Sequence, residues 1–246
     1  MSVLESLSII QLSLIGLIIT VSYLVRGLAG FGSALIAIPL LALMLPLSMV
    51  VPMVVLLDYL ASTSHGLKNR ELIKWRDLLP LLPFSIIGVV SALYLFKQID
   101  AEILSKGLGV FILLFAFYSL ADIAPQRVGR RYWAIPVGLL GGFIGTLFGT
   151  GGPFYVIYLK LRGLDKSSFR ATFAMVFLLD GAGRLGGYLF SGLFNLDVVY
   201  LVGAALPVMI LGMYVGGHMH TNLQQKTFQR VISMILIGSG FALLLK

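Results

Sequence analysis

Four charged side chains lie deep inside apolar stretches of this chain: Arg26, Asp58, Asp180 and Arg184. Each costs at least about 2.5–3.5 kcal/mol at the centre of a bilayer, so each must face the protein interior or a water-filled cavity. Two chemistries suit such a set. In one, the arginines attract an anion while an aspartate takes up a proton or another coupling cation. In the other, the charges neutralise one another, Asp180 with Arg184 four residues along one helix and Asp58 with Arg26 across segments.

Backbone donors accompany these charges. Gly27-Leu-Ala-Gly-Phe-Gly-Ser33 follows Arg26 directly, and Gly145-Thr-Leu-Phe-Gly-Thr-Gly-Gly-Pro153 holds the corresponding place in the second half. A glycine cluster lets an apolar helix stop, turn and restart. The restarted helix aims unpaired N–H groups, equivalent to about half a positive charge, into the gap. The substrate-binding residues expected on this ground are Arg26, Gly30, Gly32, Ser33, Gly149, Thr150, Gly151, Gly152 and Arg184, with Ser33 and Thr150 adding hydroxyls. Asp58 and Asp180 are expected as coupling or ion-pair residues.

The chain excludes several other chemistries. It has no cysteine, so thiolate metal sites, disulfides and cysteine nucleophiles are absent. His65, His218 and His220 stand at helix ends with no other ligand-type residue at metal-binding spacing, so no metal and no cofactor is expected. An intramembrane aspartyl-type protease would need its carboxylates to meet in one cavity, and Asp58 with Asp180 is the only such pair. The expectation is a transporter, not an enzyme, with an anion channel on the same scaffold as the nearer alternative.

The elements that must position these residues are membrane helices. Of the 246 residues 59% are hydrophobic and 11% charged, about half the charged fraction of a soluble domain. Apolar segments recur near 7–26, 33–45, 49–65, 78–96 and 103–122, then near 132–148, 151–161, 168–190, 197–217 and 227–245. The first is read as a retained span, because Glu5 precedes it instead of a basic cluster and no small-x-small cleavage site follows. The net charge of +8 reports topology rather than nucleic acid binding, since the basic residues sit in short loops.

The two halves repeat. Met53-Val-Val-Leu-Leu-Asp58 matches Met175-Val-Phe-Leu-Leu-Asp180 at five of six positions; Leu82-Pro83 with Ile86 and Gly88 matches Leu206-Pro207 with Ile210 and Gly212. Gly30 and Gly32 fall opposite Gly149 and Gly151. The arginines are not duplicated: Arg184 falls opposite Ser62, and Arg26 opposite Ile144 or Gly145. The predicted fold is therefore an all-α polytopic membrane protein, one transmembrane domain over 1–246. It is an inverted repeat of two five-segment halves, about 1–124 and 130–246, with glycine-broken re-entrant or discontinuous helices.

If successive segments alternate sides, thirteen lysines and arginines within 68–76, 127–131, 160–170 and 226–230 share one side, against Lys97, Lys106 and Lys246 on the other. The first side is then cytoplasmic and both termini are non-cytoplasmic. Gly151 to Leu161 is eleven residues, about half a bilayer at about 1.5 Å per residue. With Arg130 and Arg131 before the incoming helix and Lys160 and Arg162 after the outgoing one, this hairpin is expected to enter and leave on the cytoplasmic face. The first-half hairpin would mirror it, bringing opposed half-helix N-termini to the midplane. Full crossing by both segments gives the same loop sides, so loop charge leaves both arrangements open.

At this point the chain resembles the TauE/SafE family of sulfite and organosulfonate exporters, also described as sulfonate-uptake permeases. The resemblance rests on Gly27 to Ser33 with Pro39 following, on Gly149-Thr-Gly-Gly-Pro153, on Phe169-Arg-Ala-Thr172 and on the small duplicated size. It covers nearly the full length. It implies a cytoplasmic-membrane transporter of small sulfur-containing or related organic anions. Thr150 interrupts the second run where many members are richer in glycine. The expected partners are a small anionic substrate (sulfite, a sulfonate, thiosulfate or a carboxylate), the lipid bilayer, a proton or other coupling cation, and a second copy of the chain as a homodimer, with no nucleic acid.

Overall fold

A computed structural model describes residues 7–66, 70–121, 129–219 and 225–246, and their side chains except at 64–66 and 225–229. The side chain of His65, and His220, Lys68, Arg127 and the side chain of Lys226, lie outside the described residues. Among the described residues there are helices and no strands. They are α1 (Ile9–Ala29), α2 (Ser33–Ala42), α3 (Leu47–Gly66), α4 (Trp75–Leu78), α5 (Leu82–Gln98), α6 (Ala101–Leu120), α7 (Ala134–Phe148), α8 (Gly152–Leu161), α9 (Lys166–Phe190), α10 (Leu196–His218) and α11 (Gln225–Leu245). Every apolar segment read from the sequence is a helix.

Among the described residues, five stretches are long and apolar enough to cross a membrane: α1, Trp75–Gln98, α6, α9 and α10. Their outward residues are apolar, among them Ile86, Val90, Leu114, Leu189, Phe190 and Leu211. An apolar surface of this kind matches lipid and not water. At ten residues each, α2 and α8 measure only about 15 Å.

Polar caps mark where helices start. Ser8 and Gln11 form a reciprocal capping box on α1, Asn195 accepts from the Val198 amide on α10, and the Asp165 carboxylate accepts from the amides of Ser167 and Ser168 on α9. Glycines end the broken helices: Gly30 (φ 84°) closes α1, Gly32 (φ 101°) precedes α2, and Gly149 (φ 65°) closes α7.

The chain forms two compact units, and neither coincides with one half of the sequence. The first takes residues up to Val54, then 99–124 and 195–246; the second takes 55–98 and 125–194. In the first unit α1 packs along α10 and α6 along α11. The α1/α10 approach is close enough that a Cβ on Gly27 would lie 2.6 Å from the Met213 carbonyl oxygen, and one on Gly216 would strike the Leu24 carbonyl. In the second unit α5 packs along α7 in the same manner: a Cβ on Gly138 would lie 2.6 Å from the Leu81 carbonyl, and one on Gly142 would strike that of Ser85. Small residues let membrane helices meet backbone to backbone, where dispersion and not hydrophobicity holds them.

Candidate functional site

In the second unit, the break between α7 and α8 is built around Arg184. Asp180 and Arg184 lie one turn apart on α9 and form the ion pair expected from their spacing, both side chains 2% exposed. The guanidinium Nη2 also donates to the Gly141 carbonyl of α7 at 3.0 Å. It occupies space that side chains would need. A Cβ on Gly145 would collide with the guanidinium, and one on Gly151 would lie 2.8 Å from Nη2 while striking the Gly141 carbonyl. The glycine cluster is thus a notch for an arginine head group as well as a helix break.

The second carboxylate oxygen of Asp180 accepts from the Ser85 hydroxyl of α5. Tyr155 of α8 donates its hydroxyl to the Ser85 oxygen at 3.3 Å, and its ring meets Phe177 edge-on at 6.4 Å. Tyr188, one turn beyond Arg184, donates to the Thr146 carbonyl at 2.7 Å. Tyr155 and Tyr188 are fully buried. Three helices, α5, α8 and α9, therefore meet on one buried acid. Two buried donors in this region have no hydrogen-bond partner among the described residues, the Thr150 hydroxyl and the Arg184 Nε–H.

Backbone donors at the start of α8 are fewer than the sequence alone suggests. Pro153 sits in its first turn without an N–H, and the Phe154 amide turns back to the Gly151 carbonyl at 3.3 Å. Side-chain donors therefore matter more at this break.

In the first unit, the α1/α2 break brings Arg26 and Ser33 together. The Gly30 amide donates to the Arg26 carbonyl at 2.7 Å, folding the chain back so that the Arg26 Nη1 donates to the Ser33 hydroxyl at 3.0 Å. Arg26 is 6% exposed and Ser33 fully buried. Asp58, on the part of α3 that belongs to the second unit, is buried at 4% exposure. The backbone carbonyl of Asp58 accepts from the Ser62 hydroxyl at 2.8 Å.

At its far end the α7/α8 hairpin closes on itself. The Gly129 amide donates to the Leu161 carbonyl at 2.7 Å, and Arg162 bonds the Gly129 carbonyl. Arg162 Nε also meets the Asp77 carboxylate of α4 at 2.8 Å, and Arg131 Nε approaches the same oxygen at 3.4 Å. The basic residues flanking this hairpin thus clamp its two ends around one aspartate. Trp75, Tyr132 and Trp133 are exposed, as an interfacial belt requires. His218 is exposed, with its ring nitrogen 2.8 Å from the Tyr214 carbonyl.

Sequence reasoning missed Ser85, Tyr155 and Tyr188 as partners around Asp180 and Arg184, and the guanidinium that fills the space beside Gly145. A signal existed: at the offsets of the internal repeat Ser85 falls opposite Met209 and Tyr155 opposite Ile36. Around Asp180, which the repeat matches with Asp58, the polar partners Ser85, Tyr155 and Arg184 are unmatched by the repeat.

The family description "Sulfite exporter TauE/SafE" matches residues 14–243. The chain is 26% identical over 195 residues to the Probable inner membrane transporter protein TsaS of Comamonas testosteroni, covering 78% of this chain and 81% of that protein. It is 27% identical over 183 residues to the Probable membrane transporter protein YfcA of Escherichia coli K12, covering 70% of this chain and 65% of that one. The match thus spans just under two thirds of YfcA. No solved structure matches the chain significantly. The relatives are named as transporters and not enzymes, the match covers almost every helix described above, and the chain belongs to the TauE/SafE sulfite exporter family of multi-pass membrane transporters.

Proposed function

We propose that this protein is a secondary transporter of small anions, with sulfur oxyanions and organosulfonates of the sulfite, sulfonate and thiosulfate type as its substrate class, working by alternating access. The observation that carries this reading is the pair of unpartnered buried donors, Thr150 hydroxyl and Arg184 Nε–H, at the α7/α8 break. A buried donor without an acceptor costs about 1–3 kcal/mol, and a bound oxyanion would supply the acceptor. Arg26 and Ser33 at the other break give a second cation and hydroxyl of the same chemistry. Asp58 and Asp180 are the acids available for coupling.

The Gly129–Leu161 bond supports a re-entrant path for α7 and α8, because it joins the two ends of the hairpin. Matching glycine-mediated contacts, α1 with α10 and α5 with α7, support two inverted halves, about 1–124 and 130–246. The name of TsaS supports an inner-membrane location, and the loop charges support termini on the non-cytoplasmic side.

Thr150→Val tests the assignment. It keeps the shape, removes the unsatisfied hydroxyl and should leave thermal stability equal or higher. In proteoliposomes loaded with sulfite, methanesulfonate or thiosulfate, the KM of saturable exchange should rise about tenfold, the equivalent of one hydrogen bond to a charged group. An unchanged KM for every anion transported would remove Thr150 from the site.

A further inference from the structure

Resting on the anion-transport reading above, we infer that Asp180 carries a coupling proton and that the protein moves one proton with each monoanion, so that transport is electrically neutral. Charge must balance in a site this deeply buried. Asp180 and Arg184 are each 2% exposed and sum to zero charge. A monoanion taking the free Nε–H of Arg184 and the Thr150 hydroxyl would leave one net negative charge in a medium of low dielectric, where an uncompensated ion is strongly disfavoured. Protonating the Asp180 carboxylate restores neutrality and releases the guanidinium to the anion. The proton comes from water on the loading side and returns to water on the other, with no other bond made or broken.

The surroundings of Asp180 fit a proton and not a metal cation. One oxygen faces the Arg184 guanidinium, which repels any cation, and the other accepts from the Ser85 hydroxyl. No group of three or more histidine, aspartate or glutamate side chains able to hold a metal exists among the described residues. The groups facing Asp180 are Arg184 and Tyr188 on its own helix, Tyr155 of α8 and Ser85 of α5; Tyr59 of α3 lies beside the neighbouring Gly181. The neighbour of Tyr59 on α3 is the buried Asp58, and Lys74 meets α9 through its backbone at Thr172, about two turns from Asp180. Arg184 is the charge in direct contact with Asp180.

Ser85 and Tyr155 make the proton transferable. In the ionised state Tyr155 donates to Ser85 and Ser85 donates to Asp180. Once Asp180 is protonated the chain reverses, its hydroxyl donating to Ser85 and Ser85 to the tyrosine oxygen. The Tyr155 hydrogen is then free to turn from Ser85 to an anion. It lies on the right wall for this, since a Cβ on Gly141, whose carbonyl Arg184 bonds, would be 2.9 Å from the tyrosine oxygen. A consequence is direction: acid outside drives uptake, and membrane voltage alone drives nothing.

The experiment uses the full chain in proteoliposomes with methanesulfonate as probe, because that anion stays ionised throughout the pH range used. With voltage clamped at zero, one unit of pH difference should accumulate it about tenfold on the alkaline side, as one proton per monoanion requires. A voltage imposed without a pH difference should give no accumulation. Asp180→Asn, a neutral analogue of the protonated acid, should lose the pH-driven accumulation, and the exchange it retains should no longer depend on pH. Ser85→Ala and Tyr155→Phe leave the ion pair intact and should move the pH midpoint of exchange. Accumulation driven by voltage, pH-driven accumulation surviving in Asp180→Asn, or an unmoved midpoint in both hydroxyl variants would overturn the inference. Exchange that ignores pH in the wild type would overturn the coupling alone. An absence of wild-type flux for methanesulfonate, sulfite and thiosulfate alike would overturn the anion-transport reading itself.

Discussion

Replacing Arg184 by methionine should destabilise the fold far more than replacing Arg184 and Asp180 together by Met and Leu. The single change leaves the Asp180 carboxylate buried with neutral hydroxyl partners and no countercharge on its own helix. Breaking a buried pair in this way costs about 3–5 kcal/mol. The double change removes both charges, and apolar replacement of a buried pair is often neutral or stabilising by about 1–4 kcal/mol. One group limits that gain. The Gly141 carbonyl loses the bond from Arg184, a loss of about 1 kcal/mol, whereas Ser85 keeps its partner in Tyr155. The double variant should therefore lie between about 1 kcal/mol below and about 3 kcal/mol above the wild type, and the single variant well below it. The assay is reversible unfolding in mixed micelles, with methanesulfonate exchange measured on the same variants. Transport should be absent from both. A double variant as unstable as the single one would refute the ion-pair account of this packing, and one that still transports would remove the pair from the function.

Three further outcomes follow from the geometry. Gly142→Ala drives a Cβ into the Ser85 backbone and should cost about 1–3 kcal/mol by overpacking, while Gly203→Ala, with nothing within 4 Å, should be neutral or stabilising; unfolding midpoints compare them. A Cβ on Gly129 would stand 3.1 Å from that of Leu161, close to disulfide range, so Gly129→Cys with Leu161→Cys in this cysteine-free chain should cross-link on mild oxidation. Without the cross-link, both cysteines should label only from the cytoplasmic side, and opposite sidedness would contradict a re-entrant hairpin. Finally, hydrogen bonds from the Ser168 side chain and amide, then from the Ser167 amide, hold the Asp165 carboxyl below its ordinary range. The lowered value means that this cap stabilises α9 above the ordinary aspartate range and is lost as pH falls through the lowered value. Wild type and Asp165→Ala should differ in melting temperature near neutral pH and converge in acid; a constant difference would refute the cap's ionic character.

Much of this molecule is written locally. Every apolar segment became a helix because burying backbone in lipid leaves helices as the economical way to satisfy each N–H and carbonyl. The breaks at Gly30, Gly32 and Gly149 were legible because positive φ is readily adopted there by glycine alone. The Asp180–Arg184 pair was legible because i and i+4 share a helix face. Family membership was legible too, since the motifs that carry it are contiguous.

Which segments pack together was decided only in three dimensions. Each compact unit draws helices from both halves of the chain, α1 taking α10 and α7 taking α5, because backbone-close crossings depend on which glycine-bearing faces meet across long separations. The same holds for the chemistry at Asp180. Its partner on α9 follows from spacing, but the Ser85 hydroxyl comes from 95 residues away, a distance over which sequence periodicity carries no information. Gly145 and Gly151 likewise read as helix breakers until the guanidinium is seen to fill the space they leave. Sequence thus determined the helices, their breaks and the charges they bury, and tertiary packing decided which donors those charges meet.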